Sequence, residues 1–233
     1  MLPAGLKPFN RVILICMKLY NFTRSSASFR VRIALALKNL PYDYISVNLA
    51  KGDHKLPAFT AISADQFVPL LDTGSDKLSQ SMAIIEYLDE TYPTPALLPQ
   101  GAAARAQVRA LAQSIACEIH PLNNLRVLKY LTKEMQLSED VKNTWYRHWV
   151  REGLLSFERQ LTQLQAALAT PSSYCYGNTP TLADCCLVPQ IFNGKRFDCD
   201  FSNLPRTMAA FDACMQLEAF QKSQPSACPD ADA

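Results

Sequence analysis

The chain of 233 residues has few of the residues that build metal sites and disulfide frameworks. Its three histidines do not cluster, and none of its eight cysteines forms a C-x-x-C pair. Structural zinc sites need such ligands at close spacing, so the sequence argues against a bound metal. Several cysteines have apolar neighbours, which is typical of thiols that pack as small hydrophobes in a reducing compartment. We therefore expect a cytoplasmic protein with no metal and no disulfide framework.

Long apolar runs and basic stripes are also missing. No segment approaches the roughly 18 apolar residues that a membrane span requires, and residues 12–16 are too short for the core of a signal peptide. The net charge is only +2, and no basic stripe is interleaved with aromatic residues, so we expect neither a membrane nor a nucleic-acid partner. We expect residues 1–16 to be an extension outside the fold, with the start codon at either Met1 or Met17.

What the sequence does contain is 48% hydrophobic and 19% charged residues, which indicates one or two globular domains with real cores. The organising stretch is residues 24–37, which lack glycine and so cannot be a phosphate-binding loop. They follow a short alternating strand at 18–22, and their helix ends before Pro41. A helix N-terminus favours an anion, and a hydroxyl there can donate to a thiolate, although an ordinary capped helix is the alternative. The hydroxyls that could cap this helix belong to Ser25, Ser26 and Ser28.

The first half of the chain alternates strands and helices. After the first helix the pattern predicts a strand at 42–49, a short irregular helix at 56–62, a strand at 66–72, a strand at 77–79 and a helix at 82–92. Pro69 opens the third strand at an X-Pro bond, where a cis peptide is accessible. The order β-α-β-α-β-β-α is thioredoxin-like, and we assign that domain to residues 17–94.

The second half contains no strand signal. A proline-rich linker at 94–102 is followed by an all-helical domain, which we assign to residues 102–222. The predicted helices cover 105–131 with a bend near Pro121, 139–168, a segment beginning at the capping box of Thr181 and Asp184, and 206–220. We expect the tail from Ser223 onward to be frayed.

This two-part outline resembles the cytosolic glutathione transferases over about residues 17–220. Residues 24–35 resemble the serine-rich motif of the zeta class, and residues 117–126 and 187–191 with Arg196 resemble helical-domain motifs of bacterial maleylacetoacetate isomerases. The resemblance implies a homodimer that uses glutathione as its cofactor. The glutathione-binding residues that it implies are Ser25, Ser26, Ala27, Ser28, His54, Val68, Pro69, Gln80, Ser81, His120 and Asn124.

The activity that the resemblance implies is glutathione-dependent conversion of maleylacetoacetate to fumarylacetoacetate, in the breakdown of tyrosine and phenylalanine. A thiolate adds to the double bond, the resulting single bond rotates and the thiolate leaves, so glutathione is regenerated. Many zeta-class proteins have cysteine where this chain has Ala27, so the thiol has to be that of glutathione. Ser25 is the expected donor to the sulfur. His120 and Asn124 are further catalytic candidates because residues four apart share a face of a continuous helix.

The substrate is a dianionic diketo acid, and arginine is suited to bidentate capture of carboxylates. We expect Arg24, Arg126 and Arg196 to form an anion clamp, the alternative being three solvated surface arginines. For His120 the alternative is a cap on the bend at Pro121. Three other functions stay open: the same chemistry on maleylpyruvate in gentisate breakdown, a general glutathione transferase, and a non-catalytic glutathione-binding protein.

Overall fold

The structure is a computed structural model that describes residues 17–231, and the extension expected at residues 1–16 lies outside it. The described part begins with a four-stranded sheet in the order β2-β1-β3-β4. Its strands are β1 (Met17–Asn21), β2 (Tyr42–Ser46), β3 (Leu70–Asp72) and β4 (Lys77–Ser79). β1 and β2 are parallel, and the other two pairs are antiparallel. This confirms the thioredoxin-like prediction, although β2 and β3 are shorter than the patterns suggested.

Three helices accompany this sheet: α1 (Ser26–Leu37), α2 (Pro57–Thr60) and α3 (Ser81–Thr91), with a 3₁₀ turn at Asp53–Lys55. α1 begins at Ser25, whose side chain accepts the backbone N–H of Ser28. It ends at Leu37, and Asn39, two residues further on, has a left-handed φ of 52°, which residues with a short polar side chain tolerate. Lys38 is the C-cap residue of α1, and its buried ammonium donates to Asp89 at 2.8 Å.

The rest of the described chain is helical, as predicted. Its α-helices are α4 (Ala102–Gln113), α5 (His120–Asn123), α6 (Leu125–Lys129), α7 (Glu139–Ala166), α8 (Leu182–Arg196), α9 (Pro205–Met215) and α10 (Glu218–Ser223). Wider π-type turns cover Ser114–Ile119 and Tyr130–Glu134, and a 3₁₀ turn covers Pro225–Ala227. Within residues 17–231, no helix is both long and apolar enough to cross a membrane.

The prediction of one long helix at 105–131 is wrong. Asn124 has an extended backbone, with ψ of 162°, and its side-chain oxygen accepts the N–H of Val127 at 3.1 Å. Asparagine is a strong N-cap because it satisfies a free N–H of the first turn, so a new helix begins after it. The predicted helix at 206–220 is likewise two helices, interrupted at Leu217.

The core is centred on α8, which packs against α1, α4 and α9. Its start confirms the predicted capping box: the carboxylate of Asp184 accepts the N–H and the hydroxyl of Thr181, both at 2.7 Å. Asp184 is fully buried, which raises its pKa, while the bonds from Thr181 and Cys175 oppose that shift. Cys185 and Cys186 are also fully buried, as expected of core residues.

The prediction of a frayed tail is wrong for the described residues 223–231. Ser223, Cys228 and Asp230 are all buried, and the segment returns to the sheet of the first half. Asp230 accepts hydrogen bonds from Thr23 and Ser46 there. Polar contacts with residues of the first half hold the tail in place. Such distant contacts cannot be predicted from the sequence of the tail itself.

Candidate active site

A cavity of about 1020 Å³ lies between the two halves of the described chain. The N-terminal half contributes the start of α1, the 3₁₀ turn, the segment before β3 and the start of α3, and the helical half contributes α5, α6 and the end of α8. The predicted site residues that line it are Arg24, Ser25, Ser26, Ala27, His54, Val68, Pro69, Gln80, Ser81, His120, Asn124, Arg126 and Arg196. Residues from seven parts of the chain therefore meet at one cavity.

Ser28 is the exception. Its side chain is fully buried and does not line the cavity, so its part in glutathione binding stays a prediction. Only its backbone N–H takes part in the local arrangement, by donating to Ser25 Oγ at 3.2 Å.

The start of α1 presents Ser25 to the cavity. The Ser25 oxygen accepts the capping bond, which leaves its hydroxyl hydrogen available for a group in the cavity. The backbone N–H of Ser25 donates to Phe22 at 3.0 Å, which closes the turn from β1 into α1. A hydroxyl donor therefore lies at the positive end of a 12-residue helix.

His120 joins the two halves of the site. Its Nδ1 lies 3.0 Å from the hydroxyl of Ser26, to which it is hydrogen-bonded. Burial, together with the smaller effects of the charges of Arg30 and Arg126, lowers the pKa of His120 to about 3. The imidazole is therefore neutral at ordinary pH and acts as a hydrogen-bonding group rather than as a cation.

Arg30 is a cavity residue that the sequence interpretation missed. It is only 2% exposed, and its Nη1 donates to the Ser81 hydroxyl at 3.2 Å. Its Nε and Nη2 have no hydrogen-bond partner within the described part of the chain. A buried guanidinium normally has its N–H groups satisfied, so this one is suited to an anionic ligand. The sequence could have indicated Arg30 by its position four residues after Ser26, which places both side chains on the same face of α1.

The segments that precede β3 and α3 each contain an uncommon backbone conformation. The Val68–Pro69 peptide is cis. Gln80 has φ of 67° and ψ of 114°, a conformation that is unfavourable for a residue with a side chain. Strained backbone of this kind concentrates at ligand-binding positions. Gln80 precedes α3 without a side-chain capping bond, so its amide is not committed to the helix end.

The charge at the cavity is strongly positive. Arg24, Arg126 and Arg196 are exposed at its lining, and none forms an ion pair with another described residue. The other charged residues that line it are Arg30, Lys55, Lys129, Lys133 and the single acid Glu134. Seven cationic side chains against one acid at the described lining favour an anionic ligand.

Asn124 and His54 line the cavity in ways that differ from expectation. Asn124 does not share a continuous helix with His120; its amide nitrogen donates to Pro121 and its oxygen caps α6.

The Nδ1 of His54 is buried without a partner in the described residues. Burial, followed by Lys55 and Lys129, lowers the pKa of His54, so it is a neutral polar group.

Comparison with known proteins adds to this geometry. Residues 19–96 match the family model for the glutathione S-transferase N-terminal domain. The chain is 48% identical to a maleylpyruvate isomerase from Ralstonia sp, over 92% of this chain and 100% of that protein. It is 43% identical to a probable maleylacetoacetate isomerase from Vibrio cholerae, over 94% of this chain and 100% of that protein.

Solved structures agree. A holo structure of maleyl pyruvate isomerase, a bacterial zeta-class glutathione S-transferase, superposes with a TM-score of 0.87 at 48% identity, covering 92% of this chain and 99% of that one. The chain belongs to the zeta-class glutathione transferases, in the maleylacetoacetate and maleylpyruvate isomerase family. Another member, a maleylacetoacetate isomerase from Methylobacterium extorquens AM1 with bound malonate and glutathione, superposes with a TM-score of 0.85 at 34% identity, covering 93% of this chain and 100% of that one.

In this zeta-class chain, the helix start carries no thiol, because Ala27 occupies the position where many members have cysteine. Ala27 lines the cavity directly after the buried Ser26. Cys117 also lines the cavity and is exposed, but it lies on the π-type turn Ser114–Ile119 rather than at the start of α1. The protein therefore has no cysteine at the N-terminal end of α1, where Ser25 lies.

Proposed function

We propose that this protein is a glutathione-dependent cis–trans isomerase of maleyl diketo acids, with maleylacetoacetate as the substrate expected from its motifs. The observation that carries the proposal is the position of Ser25, at the N-terminus of α1 and in a cavity with unpaired arginines. The bound glutathione in a relative that is 34% identical over 93% of this chain supports the same cofactor here. We also propose that the protein acts as a homodimer in the cytoplasm, as the resemblance implied.

The residues present fit glutathione, a peptide with two carboxylates, an ammonium and a thiol. Arg30 and Ser81 lie together at the buried end of the cavity, where a carboxylate would satisfy the open N–H groups of Arg30. Gln80 offers an amide beside them, and the segment ending in Val68 and the cis Pro69 offers backbone groups for an extended peptide. His54 and Lys55 lie on the 3₁₀ turn at the cavity wall, where they suit a second carboxylate.

Glutathione supplies the nucleophile, a thiol whose free pKa of about 8.5 leaves roughly 3% ionised at pH 7. Lowering that pKa by about two units needs about 2.7 kcal/mol of preferential stabilisation of the anion. A helix N-terminus contributes about 0.3–1 kcal/mol, and a hydrogen bond to a charged group contributes about 1.5–3 kcal/mol. Ser25 combines both effects, because its hydroxyl lies at the start of α1 and remains able to donate.

The dianionic substrate is held by Arg24, Arg126 and Arg196. These three side chains come from three segments of the chain and line the same cavity, where Glu134 is the one acidic residue among the lining residues described. Their positive charge stabilises both carboxylates and the negative charge that develops on the carbonyl oxygen between them. Arg126 also lies over the ring of Phe67, 5.3 Å from its centroid, which limits the directions its guanidinium can take.

Maleylpyruvate is a second candidate substrate. A relative with that name is 48% identical to this chain, against 43% for the Vibrio relative named for maleylacetoacetate. The two substrates share the diketo acid and differ at the chain end beyond it. Discrimination between them therefore depends on the cavity wall that faces that end rather than on the start of α1.

The deciding experiment follows the absorbance of maleylacetoacetate and, separately, of maleylpyruvate, with and without glutathione. We expect glutathione-dependent conversion to the fumaryl product with no loss of glutathione, and the ratio of the two kcat/KM values identifies the main substrate. Turnover of neither substrate would contradict the proposal.

The alternatives give different results in the same assay. A general transferase would consume glutathione and form a stable adduct with an electrophile such as an activated aryl halide. A binding protein would retain glutathione in calorimetry and turn over none of these compounds. The excess of cations at the cavity favours the dianionic substrate over an apolar electrophile.

A further inference from the structure

The described end of the chain contacts the segment that carries Ser25. We call residues 223–231 the C-terminal strap. After α10 the strap runs along the edge of the first half, where the Asp230 carboxylate accepts the backbone N–H of Thr23 at 3.3 Å. The same carboxylate accepts the hydroxyl of Ser46 at 2.7 Å and the hydroxyl of Tyr44. Asp230 is only 9% exposed, so these are bonds of a buried carboxylate.

Thr23 is held by the strap at two atoms. Its hydroxyl donates to the carbonyl of Pro225 at 2.9 Å, while its N–H donates to Asp230. Thr23 is 1% exposed and immediately precedes Arg24 and Ser25. The strap thus fixes the backbone one residue before the substrate-binding and thiol-binding side chains.

Arg32 connects the same parts from inside α1. Its Nε donates to the carbonyl of Ser223 at 3.0 Å, its Nη2 to the carbonyl of Thr23 at 3.1 Å and its Nη1 to the side chain of Asn21 at 3.0 Å. It is 2% exposed. One buried guanidinium therefore bonds the beginning of the strap, the end of β1 and the loop between β1 and α1.

We propose that the C-terminal strap is a positioning element of the active site, with Asp230 as the positioning residue that holds the Thr23–Ser25 loop in its productive conformation. The proposal rests on the function proposed above. Loop residues can take part in catalysis only when the surrounding structure holds them rigidly. A displacement of a catalytic group by about 1 Å can lower the reaction rate about 100-fold. Two polar contacts of the strap, from Pro225 and Asp230, reach Thr23 itself, and Arg32 bonds both Ser223 and the carbonyl of Thr23.

The test compares Asp230→Asn with Glu158→Gln. Glu158 is a matched control because it is also 9% exposed and its carboxylate also accepts a backbone N–H and a hydroxyl, both from Thr207, as well as the N–H of Arg206. It lies on α7 and does not line the cavity. Both variants lose a buried carboxylate, so both lose stability, and each is assayed at a temperature where thermal melting shows it to be fully folded.

We expect Asp230→Asn to lower kcat/KM by about tenfold or more and to speed amide hydrogen exchange at residues 23–28. Glu158→Gln should lower the melting temperature and leave both of those quantities at their native values. A loss of kcat/KM in Asp230→Asn no greater than that in Glu158→Gln would overturn the proposal. Thr23→Val, which removes the bond to Pro225, should give a smaller change in the same direction as Asp230→Asn.

The exchange measurement also separates this proposal from the proposed function. If the native protein fails to isomerise either diketo acid, the proposed function fails, but exchange at residues 23–28 still reports whether the strap orders the loop. If the native protein is active and those amides exchange at the native rate in Asp230→Asn, the strap proposal alone is overturned.

Discussion

The hydroxyl of Ser26 and Nδ1 of His120 lie 3.0 Å apart, which joins the start of α1 to the helical half at the floor of the cavity. Ser26 is 5% exposed, and burial is the largest cause of the low pKa of His120, about 3. A neutral imidazole in this place can accept or donate one hydrogen bond at each nitrogen. It cannot contribute a positive charge to the anion site at neutral pH, so that charge comes from arginine and lysine.

The first prediction concerns acid stability. The pKa of His120 is about 3 in the folded protein and about 6.5 when unfolded, so below pH 6.5 the unfolded chain takes up a proton that the folded chain does not. The stability that neutral His120 allows is present above pH 6.5 and is lost as the pH falls. Between pH 7 and pH 5, the free energy of unfolding of His120→Gln should therefore fall by about 2 kcal/mol less than that of the native protein. Urea unfolding at each pH measures both values.

The control for this measurement is His148→Gln, at an exposed histidine of α7 that packs against Trp149. This variant should keep the native pH dependence of the free energy of unfolding. Equal pH dependence in His120→Gln and the native protein would contradict the burial of a neutral imidazole.

The second prediction separates the two roles of Ser25. Ser25→Ala removes a helix cap, which costs about 1 kcal/mol, and a donor to the thiolate, which should raise the pKa of glutathione bound to the protein by about 1 to 2 units. The ultraviolet absorbance of the thiolate during a pH titration measures that pKa. kcat should fall because less thiolate is present at pH 7.

Ser138→Ala is the matched control. Ser138 caps α7 by accepting the N–H of Val141 at 3.3 Å, and it does not line the cavity. It should lose similar stability and leave the pKa of bound glutathione at its native value. If the two variants gave the same thiol pKa, Ser25 would be a helix cap and nothing more.

The sequence correctly predicted those features of the fold that depend only on residues close together in the chain. The start of α1 at Ser25 and the capping box of Asp184 both follow from cap chemistry within a few residues. The alternation of short strands with helices predicted the order of these elements along the first half of the chain for the same reason. The peptide before Pro69, an X-Pro bond at which a cis conformation is accessible, is cis.

Features that depend on distant contacts were missed. The apolar periodicity on both sides of Asn124 hid a cap that interrupts the helix, because the same side chain suits either an exposed helix face or an N-cap. The burial of Arg30 depends on Ser81, 51 residues away. The packing of Asp230 depends on Tyr44, 186 residues away, and on Thr23, 207 residues away.

The third prediction concerns Arg30. Arg30→Met keeps a long unbranched side chain but removes the charge and the bond to Ser81, so the dissociation constant of glutathione should rise by about tenfold, equivalent to about 1.4 kcal/mol. The pKa of His120 should also rise, because Arg30 is the largest of the charges that lower it. Calorimetry measures the first effect, and the ring-proton chemical shifts of His120 measure the second.

Arg109→Met is the control for Arg30→Met. Arg109 forms a two-point ion pair with Glu86 between α4 and α3, at 2.9 Å for both contacts, and lies outside the cavity lining. A partly exposed pair of this kind contributes about 0–1 kcal/mol of stability. Its loss should leave glutathione affinity unchanged, and unchanged affinity in Arg30→Met as well would remove Arg30 from the site.

The fourth prediction concerns the anion clamp. Arg24→Ala, Arg126→Ala and Arg196→Ala should each raise KM for the diketo acid and lower kcat/KM by about tenfold, because each removes a charged hydrogen-bond donor from a dianion. Each should also weaken the dependence of kcat/KM on salt, since fewer charges then attract the substrate. The dissociation constant of glutathione should change much less, because the proposed glutathione residues are separate ones.

The control for the clamp is Arg159→Ala, at an exposed arginine of α7 that does not line the cavity. It removes the same charge from the protein, so any general effect of net charge on substrate attraction appears in it as well. The clamp therefore requires each of the three variants to lose more kcat/KM than Arg159→Ala. If all three kept native KM and kcat, the arginines would be solvated surface residues, and the dianion would have to be held by the lysines and Arg30 that share the cavity.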